Sequence, residues 1–135
     1  VCTYDSFVEE VLKETNDLGA TIIFDSVAGE VTSKSLQCLK FYGTLVQFGN
    51  SSGKAGKFKT SDVHMSCRNV KGFSLGTTRK HFPERLAPVA EKVLELFVDE
   101  KVHLPIAKIF DLREAALAHQ LIESRKYKGK VLIKI

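Results

Sequence analysis

The feature that most narrows the folds open to this chain is an alternation. Short apolar runs rich in β-branched and aromatic residues recur between stretches with helical hydrophobic spacing. Ala20-Thr21-Ile22-Ile23-Phe24 and Thr44-Leu45-Val46-Gln47-Phe48 are two such runs, the pattern of strands covered on both faces in a parallel sheet. Val70 to Leu75, Ile106 to Phe110 and Val131 to Ile135 supply three more candidates. Between them, Leu86, Val89, Ala90, Val93, Leu94, Phe97 and Val98 recur every third or fourth residue, which lays an apolar stripe along one face of a helix.

The other helices are read from their ends as well as their stripes. Ser6 followed by Glu9 has capping-box spacing, in which each side chain satisfies a free backbone N–H. A helix is therefore expected over about 6–16, closed by Asn16, Asp17 and Gly19. A second is expected over about 30–40, stopped by Gly43, with Pro83 near the start of the long one. Asp111 and Glu114 are expected to cap a last helix running to about Ser124. Strand and helix thus alternate, with connections long enough for parallel crossovers. The expectation is an α/β fold with no linker dividing residues 1–135 into independent domains. The opening on Val1 without an initiator Met reads as a folded unit entered part-way through.

Bulk properties exclude some classes of function. A net charge of +4, from 20 Lys and Arg against 16 Asp and Glu, is a mild excess spread along the chain. A nucleic-acid partner calls for a concentrated basic face, so none is expected. No apolar run approaches the roughly 20 residues of a membrane span. The three cysteines, Cys2, Cys38 and Cys67, are odd in number and widely spaced in core-like segments. They read as reduced thiols of a cytoplasmic protein rather than a disulfide frame.

Parallel sheets bind ligands just beyond the C-terminal ends of their strands. That directs attention to Asp25-Ser26-Val27-Ala28-Gly29, to Phe48-Gly49-Asn50-Ser51 and to Phe73-Ser74-Leu75-Gly76. Small residues and glycine let a ligand approach the backbone closely, and ordinary turn chemistry gives the same pattern. No G-x-G-x-x-G pyrophosphate fingerprint is present. Gly49-Asn50-Ser51-Ser52-Gly53 matches the G-x-S-x-G hydrolase elbow, but that elbow needs a helix to follow at once, and a charged, glycine-containing loop follows instead. His64 and Cys67 have a metal-like spacing without a second ligand pair nearby, so a buried Cys and a satisfied His are the better reading and no metal site is expected. His119, among alanines, reads as a helix-surface or packed residue. Arg125-Lys126-Tyr127-Lys128-Gly129-Lys130 is the densest basic run. It suits a solvated turn at a helix C-terminus, or an arginine fork on a phosphate.

Taken together, several stretches resemble the medium-chain dehydrogenase/reductase superfamily, most closely its zinc-independent quinone oxidoreductase branch. Ile22-Ile23-Phe24-Asp25-Ser26-Val27-Ala28-Gly29 resembles the branch's "VVYDSVGG". Ser35 through Leu39 and Gly43 through Gly53 resemble "SLxCLxxxGxLVxFGNSSG". Phe110 to His119 resembles "YPLxEAAxAH", and Glu123-Ser124-Arg125-Lys126 with Gly129-Lys130-Val131 resembles "ESRxxxGKVV". The match runs the length of the chain in the right order.

The resemblance implies the second half of a Rossmann-type doubly wound parallel sheet plus a C-terminal helix and strand. The first βαβ unit and the catalytic N-terminal domain of the family are absent from this sequence. It also implies an NADPH-dependent reductase of quinones or other activated double bonds, enones among them. The chain alone would then be inactive, holding cofactor-binding residues and no catalytic acid or base. Tyr4 matches the tyrosine near the adenosine 2′-phosphate, and Ser26 and Val27 match the turn on the adenine-ribose side. Phe48, Gly49, Asn50 and Ser51 match the strand end facing the nicotinamide, with Phe73, Ser74 and Leu75 on the next strand end. Arg125 matches a cofactor-contacting arginine. A homodimer is implied through the strand matching Val70 to Leu75, and the first strand is expected to present an unpaired apolar edge. The alternative is a non-enzymatic dimerisation or interaction module.

Overall fold

The computed structural model describes residues 2–135, which fall into two compact units divided along the chain between Pro83 and Glu84. In the first, α1 (Phe7–Glu14) precedes β1 (Ala20–Asp25), α2 (Glu30–Gln37) and β2 (Leu39–Gln47). A short α3 (Thr60–His64), β3 (Asn69–Gly72) and α4 (Leu75–His81) follow. All three strands are parallel, in the order β1-β2-β3. Ile22 to Asp25 pair with Thr44 to Gln47, which in turn pair with Asn69 to Gly72. The C-terminal ends of all three strands therefore lie along one rim.

Leu36 of α2 packs on Leu39 and Leu45 of β2, with Ile23 of β1 against them, and this cluster is the core of the first unit. Leu45 and Cys38 are both 0% exposed. Burial pushes the Cys38 thiol above its ordinary range, a backbone hydrogen bond and the nearby Arg68 charge pulling weakly the other way.

The second unit is a β-α-β crossover preceded by a helix. After a 3-10 turn at Pro83–Arg85, α5 spans Ala87–Val98, the helix that its apolar stripe predicts. β4 (Ile106–Asp111) and β5 (Lys130–Lys134) pair in parallel, joined through α6 (Ala115–Ser124). Phe110 of β4 and Ala118 of α6 are buried. The expected capping pair forms: Asp111 and Glu114 bracket the 3-10 turn that leads into α6.

Several local expectations are corrected. The Ser6 side chain caps nothing; it lies 3.2 Å from the Thr3 hydroxyl, and backbone bonds to the Thr3 carbonyl start the helix instead. α2 ends at Gln37, so Leu39 and Lys40 already belong to β2. β3 stops at Gly72, because Ser74 takes an extended conformation and its hydroxyl accepts from the Thr77 N–H at 3.1 Å. That cap opens α4, leaving Phe73 and Ser74 outside the strand and Leu75 as the first residue of a helix. The expected burial of β1 on both faces does not hold: Ile22 is 56% and Phe24 71% exposed. Neither Cys2 nor Cys67 is core; both are exposed, and all three thiols are free.

Candidate functional site

At the end of β1 the chain turns sharply, and the Asp25 carboxylate organises the turn. One of its oxygens accepts from the backbone N–H of Val27 (2.8 Å) and of Ala28 (2.9 Å). The other accepts from the Thr32 hydroxyl on α2 at 2.6 Å. Asp25 is only 2% exposed, so this carboxylate is a buried brace that fixes how Ser26 and Val27 are presented. Ala28 (φ 64°) and Gly29 (φ 61°) both turn through positive φ, the geometry that lets a strand pass directly into a helix N-terminus.

A second segment lies against this turn. The Phe48 N–H donates to the Asp25 carbonyl (2.9 Å), Ser51 N–H to Ser26 (3.0 Å) and Ser52 N–H to Val27 (3.0 Å). The two strand ends are thereby joined in a backbone seam that continues past the sheet. Gly49 makes this approach possible: a Cβ there would sit 2.7 Å from the Ser26 carbonyl oxygen and 3.0 Å from its Cα. The Gln47 amide donates to the Gly49 carbonyl at 2.6 Å, and its oxygen lies 3.2 Å from the Thr32 hydroxyl. Phe73 N–H donates to the Gln47 carbonyl at 2.9 Å, bringing the third strand end alongside.

Recesses open beside the seam. Tyr4, Ser26 and Val27 share one of about 270 Å³, walled also by Phe7, Phe24 and Val31. Gly49 and Asn50 line another of about 330 Å³ with Ala28, Thr32, Phe58 and Val70. The Phe48 ring meets Phe24 edge-on, 6.4 Å between centroids at 77°. Tyr4 is anchored through its carbonyl, which accepts from the Lys34 ammonium at 3.2 Å.

The structure thus brings Tyr4, Ser26 and Val27 together, and joins Ser26 and Val27 to Phe48 through Ser51 by hydrogen bonds. Phe73 and Ser74 follow β3 on the same rim, where the Ser74 hydroxyl is already occupied as a helix cap, and Leu75 begins that helix. Arg125 belongs to the second unit, where it closes α6 in the left-handed conformation (φ 53°). Sequence reasoning missed the Asp25–Thr32–Gln47 network that builds the seam. Its only sequence signal is an acidic residue at a strand end with a hydroxyl in the first turn of the next helix.

The hydrolase reading fails on local structure. After Ser51 the chain runs as turn and loop to Lys59 before α3 begins, so no helix follows the serine as the elbow demands. His119 sits exposed on α6. Among the described residues no three His, Cys, Asp or Glu side chains gather as a metal-ligand set.

Comparison with known proteins agrees with this architecture. A family model described as zinc-binding dehydrogenase matches residues 2–133. A probable quinone oxidoreductase of Schizosaccharomyces pombe is 32% identical over 135 residues; the alignment covers 98% of this chain and 40% of that protein. The crystal structure of a 2-haloacrylate reductase is 26% identical, with a TM-score of 0.76 over 96% of this chain and 41% of the other. A mycobacterial protein solved in complex with NADPH shares the fold at a TM-score of 0.77 and 23% identity, over 98% of this chain and 41% of that one. The chain therefore spans about 40% of the length of these relatives. It belongs to the zinc-binding dehydrogenase family, within the medium-chain dehydrogenase/reductase superfamily and alongside its quinone oxidoreductases.

Proposed function

We propose that this chain is the C-terminal part of an NADPH-dependent reductase of quinones or other electron-poor double bonds, and that the seam at the strand ends receives the cofactor. The observation that carries the reading is the hydrogen-bonded junction of Ser26–Val27 with Phe48–Ser52 on the C-terminal rim of a parallel sheet. Such rims are where α/β sheets take nucleotides. The relatives named above include a quinone oxidoreductase, a haloacrylate reductase and a fold neighbour holding NADPH, which supports the same assignment.

The residues present fit a dinucleotide. Gly49 keeps the rim low where a side chain would collide with Ser26. The Tyr4 recess offers a phenol, the Ser26 hydroxyl and apolar walls, which suit an adenosine end. Phe48, Asn50 and Ser51 offer a ring face, an amide and a hydroxyl for orienting a nicotinamide. Arg125 is assigned to cofactor phosphate, where its guanidinium can bind bidentately. Phe73, Ser74 and Leu75 border the nicotinamide end. When bound, the cofactor supplies the hydride; the protein orients it and excludes water. No acid or base among these residues is given a role.

The intact protein works without zinc, in the cytoplasm and as a homodimer. The open edge of β3 supports self-association through that strand. No helix among the described residues is long and apolar enough to cross a membrane.

Amide NMR of the chain titrated with NADPH tests the site. Shifts are expected at Ser26, Val27 and Phe48 to Ser51, larger than with NADH. Silence at millimolar cofactor refutes the site. For the reaction, the full-length protein must oxidise NADPH with a quinone or enone and keep that rate in the presence of a chelator.

A further inference from the structure

Another cavity, lined by charged and apolar side chains, shares Phe58 with the recess beside the seam. It measures about 550 Å³, and Lys57, Lys59, Arg68 and Asp62 face it beside Leu36 and Phe58. Arg68 directly precedes β3 and its Nη2 donates to the carbonyl of Leu39, the first residue of β2. The arginine end of this cavity is therefore at the N-terminal rim of the strands, opposite the rim that carries Ser26 and Phe48.

Three cations face one acid here, and one oxygen of that acid is already hydrogen-bonded. The Asp62 carboxylate accepts from the backbone N–H of Lys59 at 2.9 Å. Among the described residues Lys57, Lys59 and Arg68 form no ion pair. Arg68 is held rather than free: its guanidinium lies 5.6 Å over the Phe41 ring, while its buried Nε has no hydrogen-bond partner. The Lys57 main chain is pinned as well, its carbonyl accepting from the Ser33 hydroxyl at 2.5 Å.

Clustered like charges that outnumber their counter-charge repel one another and raise the local positive potential. A pre-positioned guanidinium loses little freedom when it binds an oxyanion. The cavity volume lies within the roughly 300–1,000 Å³ range of small-molecule sites. Leu36 and Phe58 add an apolar wall that a bare inorganic ion would leave unused. We infer that this cavity binds an organic phosphate, a phosphate ester with an apolar or aromatic body, through Lys57, Lys59 and Arg68.

The test is an amide NMR titration of the 135-residue chain with adenosine monophosphate and, separately, inorganic phosphate. Saturable shifts at Lys57, Lys59 and Arg68 are expected, with the ester binding more tightly than the ion. The double variant Lys57→Gln/Lys59→Gln leaves the core and the Arg68 contacts intact, and it should weaken ester binding about tenfold or more. Its unchanged spectrum elsewhere reports folding; if it fails to fold, Lys57→Gln alone serves, with a smaller loss expected. Shifts confined to Tyr4, Ser26 or Phe48, no shifts at about 10 mM ligand, equal affinity for ester and ion, or undiminished binding by the variant would each overturn the inference.

Discussion

Replacing Gly49 by alanine tests the seam directly. The new Cβ would sit 2.7 Å from the Ser26 carbonyl oxygen and 3.0 Å from its Cα, both main-chain atoms that cannot swing aside. To restore ordinary contact, one segment must retreat by several tenths of an ångström. The Ser51-to-Ser26 and Ser52-to-Val27 hydrogen bonds, each 3.0 Å, lengthen with it. Overpacking costs about 1–3 kcal/mol, and each weakened hydrogen bond costs up to about 1 kcal/mol. A loss of about 3 kcal/mol is therefore expected. With a urea slope of about 1.5 kcal/mol per molar, the midpoint falls by about 2 M. Circular dichroism reads that shift, with Gly72→Ala as control, since a Cβ there meets nothing within 4 Å. If Gly49→Ala unfolds at the parent's midpoint, the two segments are not in the contact described, and the proposed cofactor rim goes with them.

Other outcomes follow from the same contacts. Asp25→Asn retains the shape but replaces the oxygen that accepts from Thr32 or the one that accepts from Val27 and Ala28. It should cost about 1–3 kcal/mol in urea unfolding, and an unchanged midpoint would contradict the brace. Leu45→Ala empties a fully buried core position and should cost about 2–5 kcal/mol, measured the same way. Native-state alkylation read by mass spectrometry should label Cys2 and Cys67 well before Cys38, which is enclosed and has its ionisation pushed upward. Because the folded thiol ionises later than the unfolded one, its contribution to stability is complete below about pH 8.5 and declines above it. A urea midpoint that rises between pH 8 and pH 10 would contradict that sign.

What the sequence reveals depends on how local the physics is. The stripe from Leu86 to Val98 specifies α5 because neighbouring turns of one helix carry the whole signal. The parallel strands around Ile22 to Phe24 and Leu45 to Gln47 are legible for a similar reason. The expected β3 runs too far because Phe73-Ser74-Leu75 has strand-like composition, while the event that ends the strand is one hydroxyl turning to cap Thr77. The expected burial of β1 exceeds what is seen because an apolar run states what the residues favour, not which neighbours cover them. At the site, the small residues marked the rim, but the Asp25–Thr32–Gln47 network joins positions 7 and 15 residues apart and leaves no periodic trace.

The seam also decides what kind of grip the rim offers a visitor. Much of its main chain is turned inward: Ser26 and Val27 carbonyls face Ser51 and Ser52, while Val27 and Ala28 amides face Asp25. By contrast, the hydroxyls of Ser26 and Ser51 and the Asn50 amide have no hydrogen bond to another described residue. Recognition there falls to a few short side chains and one phenyl face on a stiff base. Discrimination between look-alike guests would then be tunable by single substitutions that leave the scaffold beneath undisturbed.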